Sequence, residues 1–227
     1  MLEDITREKR VKSLLIKKMA KDVVDRLLDD PEMQELGGKR GKATVLFSDI
    51  RGFSTIAERL QAREIAEIVG RHLSAMAEIV TDFGGMIDKF QGDAVMAVFG
   101  APDPLPDHAQ RALDCAIAMQ RRQLELNSQG WGTDAVPTLE IGVGLNTGRV
   151  IAGAVGGGGR LEYTVIGDAV NVASRLQSEA EGGQIVASAS TIAATDGVSC
   201  EPMGARTVKG REEPVEVYRV LTEDVVA

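Results

Sequence analysis

The sequence predicts an α+β fold, in which a mixed sheet is flanked by helices and preceded by an N-terminal helix. Apolar, strand-like runs alternate along the chain with segments whose apolar residues recur every 3.6 positions. Two strand pairs are predicted around short glycine-containing turns, which are typical of hairpins. The chain has 227 residues and is 44% hydrophobic, which suits one good-sized domain plus an appendage.

The first predicted element is an amphipathic helix near residues 5–29. Its apolar stripe consists of two adjacent rows at i, i+4 spacing: Leu15, Met19, Val23 and Leu27, and Ile16, Ala20, Val24 and Leu28. Basic residues crowd its first half and aspartates its second, an order that opposes the helix dipole and favours packing on a partner. Two interpretations stay open: a helix folded onto its own domain, and a parallel dimerising or signal-transmitting helix. Pro31 and Gly37–Gly41 end it in a short linker, so we expect this region over 1–41 and a globular domain over 42–227.

The first half of the globular domain is predicted to contain strands and helices in alternation. In chain order they are a strand over Ala43–Ser48, a helix after it, a second helix from Ile65 to Phe83, and a hairpin of Met86–Phe90 with Ala94–Phe99. Thr55 and Glu58 have the spacing of a capping box for the first of these helices. Gly84-Gly85 stops the second helix, and the hairpin turns at Gln91-Gly92, which brings Asp93 close to the turn.

The second half continues the same alternation. The predicted elements are a helix containing Leu113 to Leu124, a strand pair of Leu139–Asn146 with Val150–Val155 around Thr147-Gly148, a short strand over Tyr163–Ile166, a helix after Gly167-Asp168, and short strands and loops up to Val220. The glycine run at 156–159 lacks GxGxxG spacing and precedes a strand instead of a helix. It is therefore interpreted as a flexible loop and not as a dinucleotide-binding turn.

Composition excludes several classes of protein. The net charge of -8 argues against a nucleic-acid-binding protein, which would carry a basic surface. No apolar run approaches the ~20 residues that span a bilayer, and the N-terminus lacks a signal-peptide core. Cys115 and Cys200 are isolated, which predicts a reducing, cytoplasmic location. His72 lies on the apolar face of its helix and His108 in a proline-rich loop, so histidine-based acid–base chemistry is not expected.

Two aspartates carry the strongest chemical signal. Asp49 and Asp93 each lie at the edge of an apolar strand, where a carboxylate is held rigidly yet faces solvent. Either residue alone is equally consistent with a helix N-cap or a surface turn. Together they make a hard-oxygen site suited to Mg²⁺ or Mn²⁺, the minimum for two-metal phosphoryl chemistry on a nucleotide.

Other candidate side chains surround this pair in the sequence. The turn of Gly52, Phe53 and Ser54 enters a helix and offers backbone N–H groups to a phosphate. Lys89 either extends to solvent or donates to a purine ring nitrogen. Asn171 and Arg175 lie one helical turn apart, where they either form a solvated face or bind a ribose oxygen and a phosphate.

Three motifs together carry a family resemblance. They are Phe47-Ser-Asp-Ile-Arg-Gly-Phe53, Lys89-Phe-Gln-Gly-Asp93 and Tyr163-Thr-Val-Ile-Gly-Asp-Ala-Val-Asn-Val-Ala-Ser-Arg175. Their order and spacing resemble the catalytic domain of class III nucleotidyl cyclases from about Lys42 to Val220. The resemblance implies a head-to-tail homodimer of ferredoxin-like domains with active sites at the interface, which convert ATP to 3′,5′-cyclic AMP and pyrophosphate.

The resemblance also implies a role for each candidate residue. Asp49, Asp93 and the Ile50 carbonyl would hold two Mg²⁺ or Mn²⁺ ions per site, one acidifying the ribose 3′-hydroxyl and the other binding the triphosphate. The partner chain would supply Lys89 and Thr164 to the base, Asn171 to the ribose and Arg175 to the α-phosphate. Lys209 and Arg149 would meet the phosphates. The N-terminal helix resembles the segment that links a sensor to the cyclase in multidomain members.

The identity of the base follows from hydrogen-bond chemistry. Lys89 can donate to adenine N1, and Thr164 can accept from the 6-amino group, whereas guanine reverses both demands. A hydroxyl can also donate, so looser selectivity is conceivable. The alternatives are therefore a guanylate or relaxed-specificity cyclase and, in another class, a catalytically silent nucleotide-binding dimerisation module.

Overall fold

The computed structural model describes residues 38–133, 135–136, 138–157, 160–207 and 213–221. Within them the strands β1 to β8 span Lys39–Ile50, Met86–Gln91, Ala94–Phe99, Ile141–Gly157, Arg160–Ile166, Ile185–Ser188, Cys200–Arg206 and Val215–Val220. The helices α1 to α5 span Phe53–Ala57, Ala62–Asp82, His108–Gln129, Asp168–Glu179 and Ala189–Ile192. The predicted N-terminal helix and Lys209 lie outside the described residues.

The strands form one mixed sheet in the order β2-β3-β1-β4-β6-β8-β7, and β5 pairs with the outer part of β4. The pairing of β4 with β6 is parallel, and the other pairings are antiparallel. The succession β1-α2-β2-β3-α3-β4 is the βαββαβ motif of ferredoxin-like folds. The predicted α+β class with a mixed sheet and flanking helices is confirmed.

Hydrophobic cores form on both faces of the sheet. Successive side chains of each strand point to opposite faces, so each strand can contribute to both cores. Leu46 and Ile50 of β1 contribute to a core beneath α2 and α3. Val45 and Phe47 point the other way, into a second core with β5 and α4. The sheet is therefore buried between the two long helices on one side and the β5–α4 segment on the other.

Two local predictions near the start of the domain need correction. The strand β1 begins at Lys39, so the last residues of the predicted linker belong to the sheet. The capping box assigned to Thr55 and Glu58 does not form, because Gly52 precedes α1 and Glu58 follows it. A capping box is present one helix later, where the Gln61 backbone N–H donates to Glu64 Oε2 at 2.8 Å.

The predicted strand pair around Thr147-Gly148 is also wrong, because β4 runs without interruption over 17 residues. Gly148 pairs with Ala43 of β1 in the middle of the ladder. A Cβ atom at Gly148 would lie 2.9 Å from Ala169 Cβ, so this glycine allows close approach of α4. Likewise Gly156 and Gly157, assigned to a flexible loop, pair with β5 at the end of the β4–β5 hairpin.

Candidate active site

The carboxylates of Asp49 and Asp93 meet where the end of β1 adjoins the start of β3. Ser48 pairs with Val95, which aligns the last residues of β1 with the turn that precedes β3. The backbone N–H of Ile50 donates to Asp93 Oδ2 at 3.3 Å. Both aspartates are partly buried, so neither carboxylate is fully hydrated. The structure thus brings together the two residues expected to bind metal.

The negative charges of Asp49 and Asp93 repel each other. Burial, the negative charge of Asp49 and a hydrogen bond with Asp49 raise the pKa of Asp93 to about 6, although the Ile50 N–H opposes the shift. Two carboxylates that resist joint ionisation favour a bound cation, and hard oxygen donors suit Mg²⁺ or Mn²⁺. The described residues contain no cluster of three or more His, Cys, Asp or Glu side chains arranged for a metal. Further ligands would have to be backbone, substrate or solvent oxygens.

The glycine turn that follows Asp49 leads directly into helix α1. Gly52 has φ 67°, a left-handed conformation that glycine adopts without strain. Its carbonyl accepts the N–H groups of Thr55 and Ile56 at 3.1 and 3.2 Å. The preceding N–H groups of Phe53 and Ser54 lie at the start of α1, where a helix has no acceptors of its own. They are available in principle to an anionic ligand.

The residues expected to read the base, Lys89 and Thr164, both contact Asp88. Lys89 Nζ lies 3.4 Å from Asp88 Oδ1 and 3.3 Å from Glu162 Oε2. The Thr164 hydroxyl donates to the two carboxylate oxygens of Asp88 at 3.0 and 2.7 Å. Burial lowers the pKa of Lys89, but the charges of Asp88 and Glu162 outweigh it and the net shift is upward. The lysine is therefore a cation held beside the threonine.

Asp88, which the sequence analysis missed, is positioned by an irregularity in β2. Ile87 pairs with Ala97 and Lys89 with Met96, so Asp88 is an extra residue opposite no partner. Such a bulge breaks the alternation of side chains along a strand. The Asp88 side chain is fully buried and also accepts the backbone N–H of Val165 at 3.1 Å.

Asn171 and Arg175 project from the exposed side of α4, whose opposite side is buried. They share one face, as their spacing predicts. Arg149 is exposed on β4, seven residues along the strand from Gly142, the partner of Asp49. Thr164 pairs with Gly153, still further along β4. Measured along β4, Arg149 and Thr164 are thus displaced from Asp49.

Arg51 is a second residue that the sequence analysis missed. Its Nη2 donates to the Gln177 carbonyl of α4 at 2.5 Å. The guanidinium lies over Gly142, where any Cβ atom would be 2.1 Å from it. Burial lowers the pKa of Arg51, and the negative charges of Asp49 and Asp93 partly offset this shift. Arg51 therefore connects the carboxylate pair to the helix that carries Asn171 and Arg175.

Both histidines make side-chain hydrogen bonds within the fold. His72 is fully buried, and its Nδ1 lies 3.0 Å from Gln123 Oε1. Burial lowers its pKa to about 4, so the ring is neutral at physiological pH. His108 begins α3 instead of lying in a loop, and its Nδ1 is 2.7 Å from the Thr44 hydroxyl.

Comparisons with known proteins agree on one kind of domain. The family model described as "Adenylate and Guanylate cyclase catalytic domain" matches residues 38–222. Adenylate cyclase 1 of Rhizobium meliloti (strain 1021) is 34% identical over 196 residues, which cover 84% of this chain. This chain spans only 29% of that relative's length.

Two solved structures show the same similarity in three dimensions. The adenylyl cyclase CyaB from P. aeruginosa has a TM-score of 0.78 and 39% identity, covering 82% of this chain and 97% of its own. The guanylyl cyclase Cya2 has a TM-score of 0.74 and 39% identity, covering 83% and 97%. Structures described as acting on either nucleotide are thus similar to this chain. In the described part of the chain, no helix is long and apolar enough to cross a membrane.

Proposed function

Because this chain belongs to the adenylate and guanylate cyclase catalytic domain family, we propose that it converts ATP to 3′,5′-cyclic AMP and pyrophosphate. The observation that carries the proposal is the Asp49–Asp93 pair, held together at the end of β1 beside a glycine turn. Family membership supplies the reaction class, and the base-facing residues supply the choice of ATP.

We propose that Asp49, Asp93 and the Ile50 carbonyl hold two Mg²⁺ or Mn²⁺ ions. The raised pKa of Asp93 supports this assignment, because a cation would relieve the repulsion between the carboxylates. When bound, such ions would acidify the ribose 3′-hydroxyl and neutralise charge on the triphosphate. The backbone N–H groups of the Gly52–Ser54 turn would bind phosphate oxygens, with Arg149 and Lys209 as further cations.

The remaining groups would come from a second copy of the chain. Asn171 would orient the ribose, and Arg175 would stabilise the negative charge that develops on the α-phosphate. The ribose 3′-oxygen attacks the α-phosphorus, its proton passes to solvent, and the bond to the pyrophosphate oxygen breaks. The separation of Thr164 from Asp49 along β4 supports a homodimer in which each site draws on both chains.

The choice of ATP rests on Lys89 and Thr164. The ammonium of Lys89 can donate to adenine N1, and the oxygen of Thr164 can accept from the 6-amino group. Guanine carries a donor at N1 and an acceptor at O6, so it would meet two like groups. Lys89 and Thr164 both contact Asp88, which supports a single site that reads the base.

The direct test is to incubate the purified chain with Mn²⁺ and either ATP or GTP and to identify the products by mass spectrometry. We expect cyclic AMP as the main product and none from the Asp49→Ala variant. Formation of cyclic GMP from GTP at an equal rate would favour the relaxed-specificity alternative. Nucleotide binding without any cyclic product would favour the silent dimerisation module.

The N-terminal region over 1–41 stays a prediction, both as a dimerising helix and as a link to a sensor. The cytoplasmic location is likewise a prediction from cysteine usage. A light-scattering comparison of the full chain with a version starting at Gly38 would test the helix, because a dimerising segment should lower the dissociation constant of the dimer.

A further inference from the structure

We propose that Asp88 fixes the direction of the Thr164 hydroxyl proton and so makes Thr164 an acceptor-only group for the nucleotide base. This inference rests on the proposed adenylate cyclase function and assigns a positioning residue for its substrate choice. Asp88 would not touch the nucleotide itself. It would act through Thr164 and Lys89, the two residues proposed to contact the base.

The polar contacts of Asp88 all come from donors. The Thr164 hydroxyl, the Val165 backbone N–H and Lys89 Nζ converge on its carboxylate, at 2.7, 3.1 and 3.4 Å from the nearest oxygen. An ionised carboxylate only accepts hydrogen bonds. The Asp88 side chain is fully buried, so its oxygens have no contact with solvent in the structure. Such a site requires each neighbour to direct a proton toward Asp88.

A hydroxyl group has only one proton to give. Because Thr164 directs it to Asp88, the lone pairs of its oxygen are what the residue can still offer to a ligand. An adenine 6-amino group could donate a hydrogen bond to the Thr164 oxygen, whereas guanine O6 would face another acceptor. Threonine in this setting acts like a carboxylate, which resolves the ambiguity of an isolated hydroxyl.

Asp88 also limits what Lys89 can do. An ammonium group carries three protons, and the Lys89 ammonium faces Asp88 on one side and Glu162 on another. One proton is left for the base, which matches the single acceptor at adenine N1. The same buried carboxylate thus orients both members of the base-reading pair.

The test is the ATP-to-GTP ratio of kcat/KM in the Asp88→Asn variant. Asparagine removes the negative charge and replaces one of the two carboxylate oxygens that accept from the Thr164 hydroxyl with an amide donor, so the hydroxyl proton is released to turn toward the nucleotide. We expect the ratio to fall by about tenfold or more, because the acceptor that excludes guanine becomes a donor. The matched control is Asp82→Asn, an exposed aspartate at the end of α2, which should keep the ratio of the parent. An unchanged ratio in a folded Asp88→Asn protein would overturn the inference.

The Thr164→Val variant provides an independent test that leaves Asp88 intact. Loss of the Thr164 acceptor should lower the ATP-to-GTP ratio of kcat/KM in the parent. In the Asp88→Asn background, where the hydroxyl no longer accepts, the same change should alter this ratio little. Additive effects in this double-mutant cycle would contradict the inference. Binding of 3′-deoxy-ATP and 3′-deoxy-GTP, which lack the attacking hydroxyl, should follow the same pattern. A parent protein that forms no cyclic nucleotide would refute the proposed function, whereas a selective parent with insensitive variants would refute only the role of Asp88.

Discussion

Among single residues, Asp93 has the most informative electrostatic state. Its pKa of about 6 exceeds the ordinary 3.8 because of burial and of Asp49 beside it. A carboxyl whose pKa is raised on folding contributes most to stability below pH ~4, and that contribution is lost as the pH rises through about 6. The metal-free protein therefore carries a destabilising charge pair at neutral pH.

Replacing Asp93 with Asn is accordingly expected to stabilise the metal-free protein at pH 7.5, by about 1 kcal/mol once solvent screening is allowed for. The gain should vanish at pH 4, where the parent carboxyl is protonated. Urea unfolding in the presence of a chelator measures both values. Adding Mn²⁺ at pH 7.5 should stabilise the parent and not the variant. Equal effects at the two pH values would show that the charge pair is unimportant.

Exchange of the base-reading pair is a second residue-level prediction. Lys89→Glu with Thr164→Cys should move activity toward GTP, because both hydrogen-bond directions are reversed. The new carboxylate would lie near Asp88 and Glu162, which now hold the Lys89 ammonium. We therefore expect the exchange to be more effective with Asp88→Asn added, as measured by competing ATP and GTP in one reaction. An unchanged preference for ATP in both combinations would refute the assignment of these residues to the base.

The residues found from the sequence were those with a recognisable setting. Asp49 and Asp93 lie at the ends of apolar runs, and this setting can be read directly. Asp88 was missed because strict alternation would direct it away from Lys89, and a bulge is not visible in the residue pattern. Arg51 was missed because its contacts, Gln177 and Gly142, are distant in the chain.

The helices and strands were predicted well where a regular apolar pattern extended over many residues. Both long helices and the β2–β3 hairpin occupy the expected positions. The main error was in β4, where Gly148 suggested a turn. Glycine in a strand can mark either a bend or a close approach of another backbone, and here the packing of α4 on Gly148 shows the second.

This close approach yields a prediction about β4. A Cβ atom at Gly144 would lie 2.1 Å from the Gln177 backbone nitrogen, so α4 would have to shift. Gly144→Ala should lower the free energy of unfolding by about 3 kcal/mol, measured by urea denaturation. Gly70→Ala is the matched control, since its Cβ would meet nothing within 4 Å in the middle of α2. That change should be neutral or stabilise by up to about 1 kcal/mol. Equal losses in the free energy of unfolding for the two variants would argue against tight packing of α4 on β4.

For the whole molecule, the layered architecture could be predicted, since alternating strands and helices allow few arrangements. The proposed sharing of one active site between two copies could not be predicted from periodicity, because periodicity reports only how a single chain packs. The family resemblance supplied that expectation.

Complementation tests whether the sites are shared between chains. Asp49→Ala and Arg175→Ala should each abolish activity alone. When the two variants are refolded together, each mixed dimer would contain one site with both residues intact, so we expect up to about a quarter of the parent activity, assuming random pairing. The same mixture of Asp49→Ala with Asp93→Ala is the control and should stay inactive, because both changes affect the carboxylate half. No recovery in the first mixture would contradict shared sites.

The unpaired position in β2 has a consequence for how this domain tolerates changes in length. Because Ile87 and Lys89 already pair with consecutive residues of β3, omitting residue 88 would leave the hairpin ladder in register on both sides. Asp93 next to the hairpin turn would keep its place, while Thr164 and Lys89 would lose the carboxylate that both contact. On the proposed assignment of Lys89 and Thr164 to the base, loss of residue 88 would therefore change nucleotide preference and leave the carboxylate pair in place.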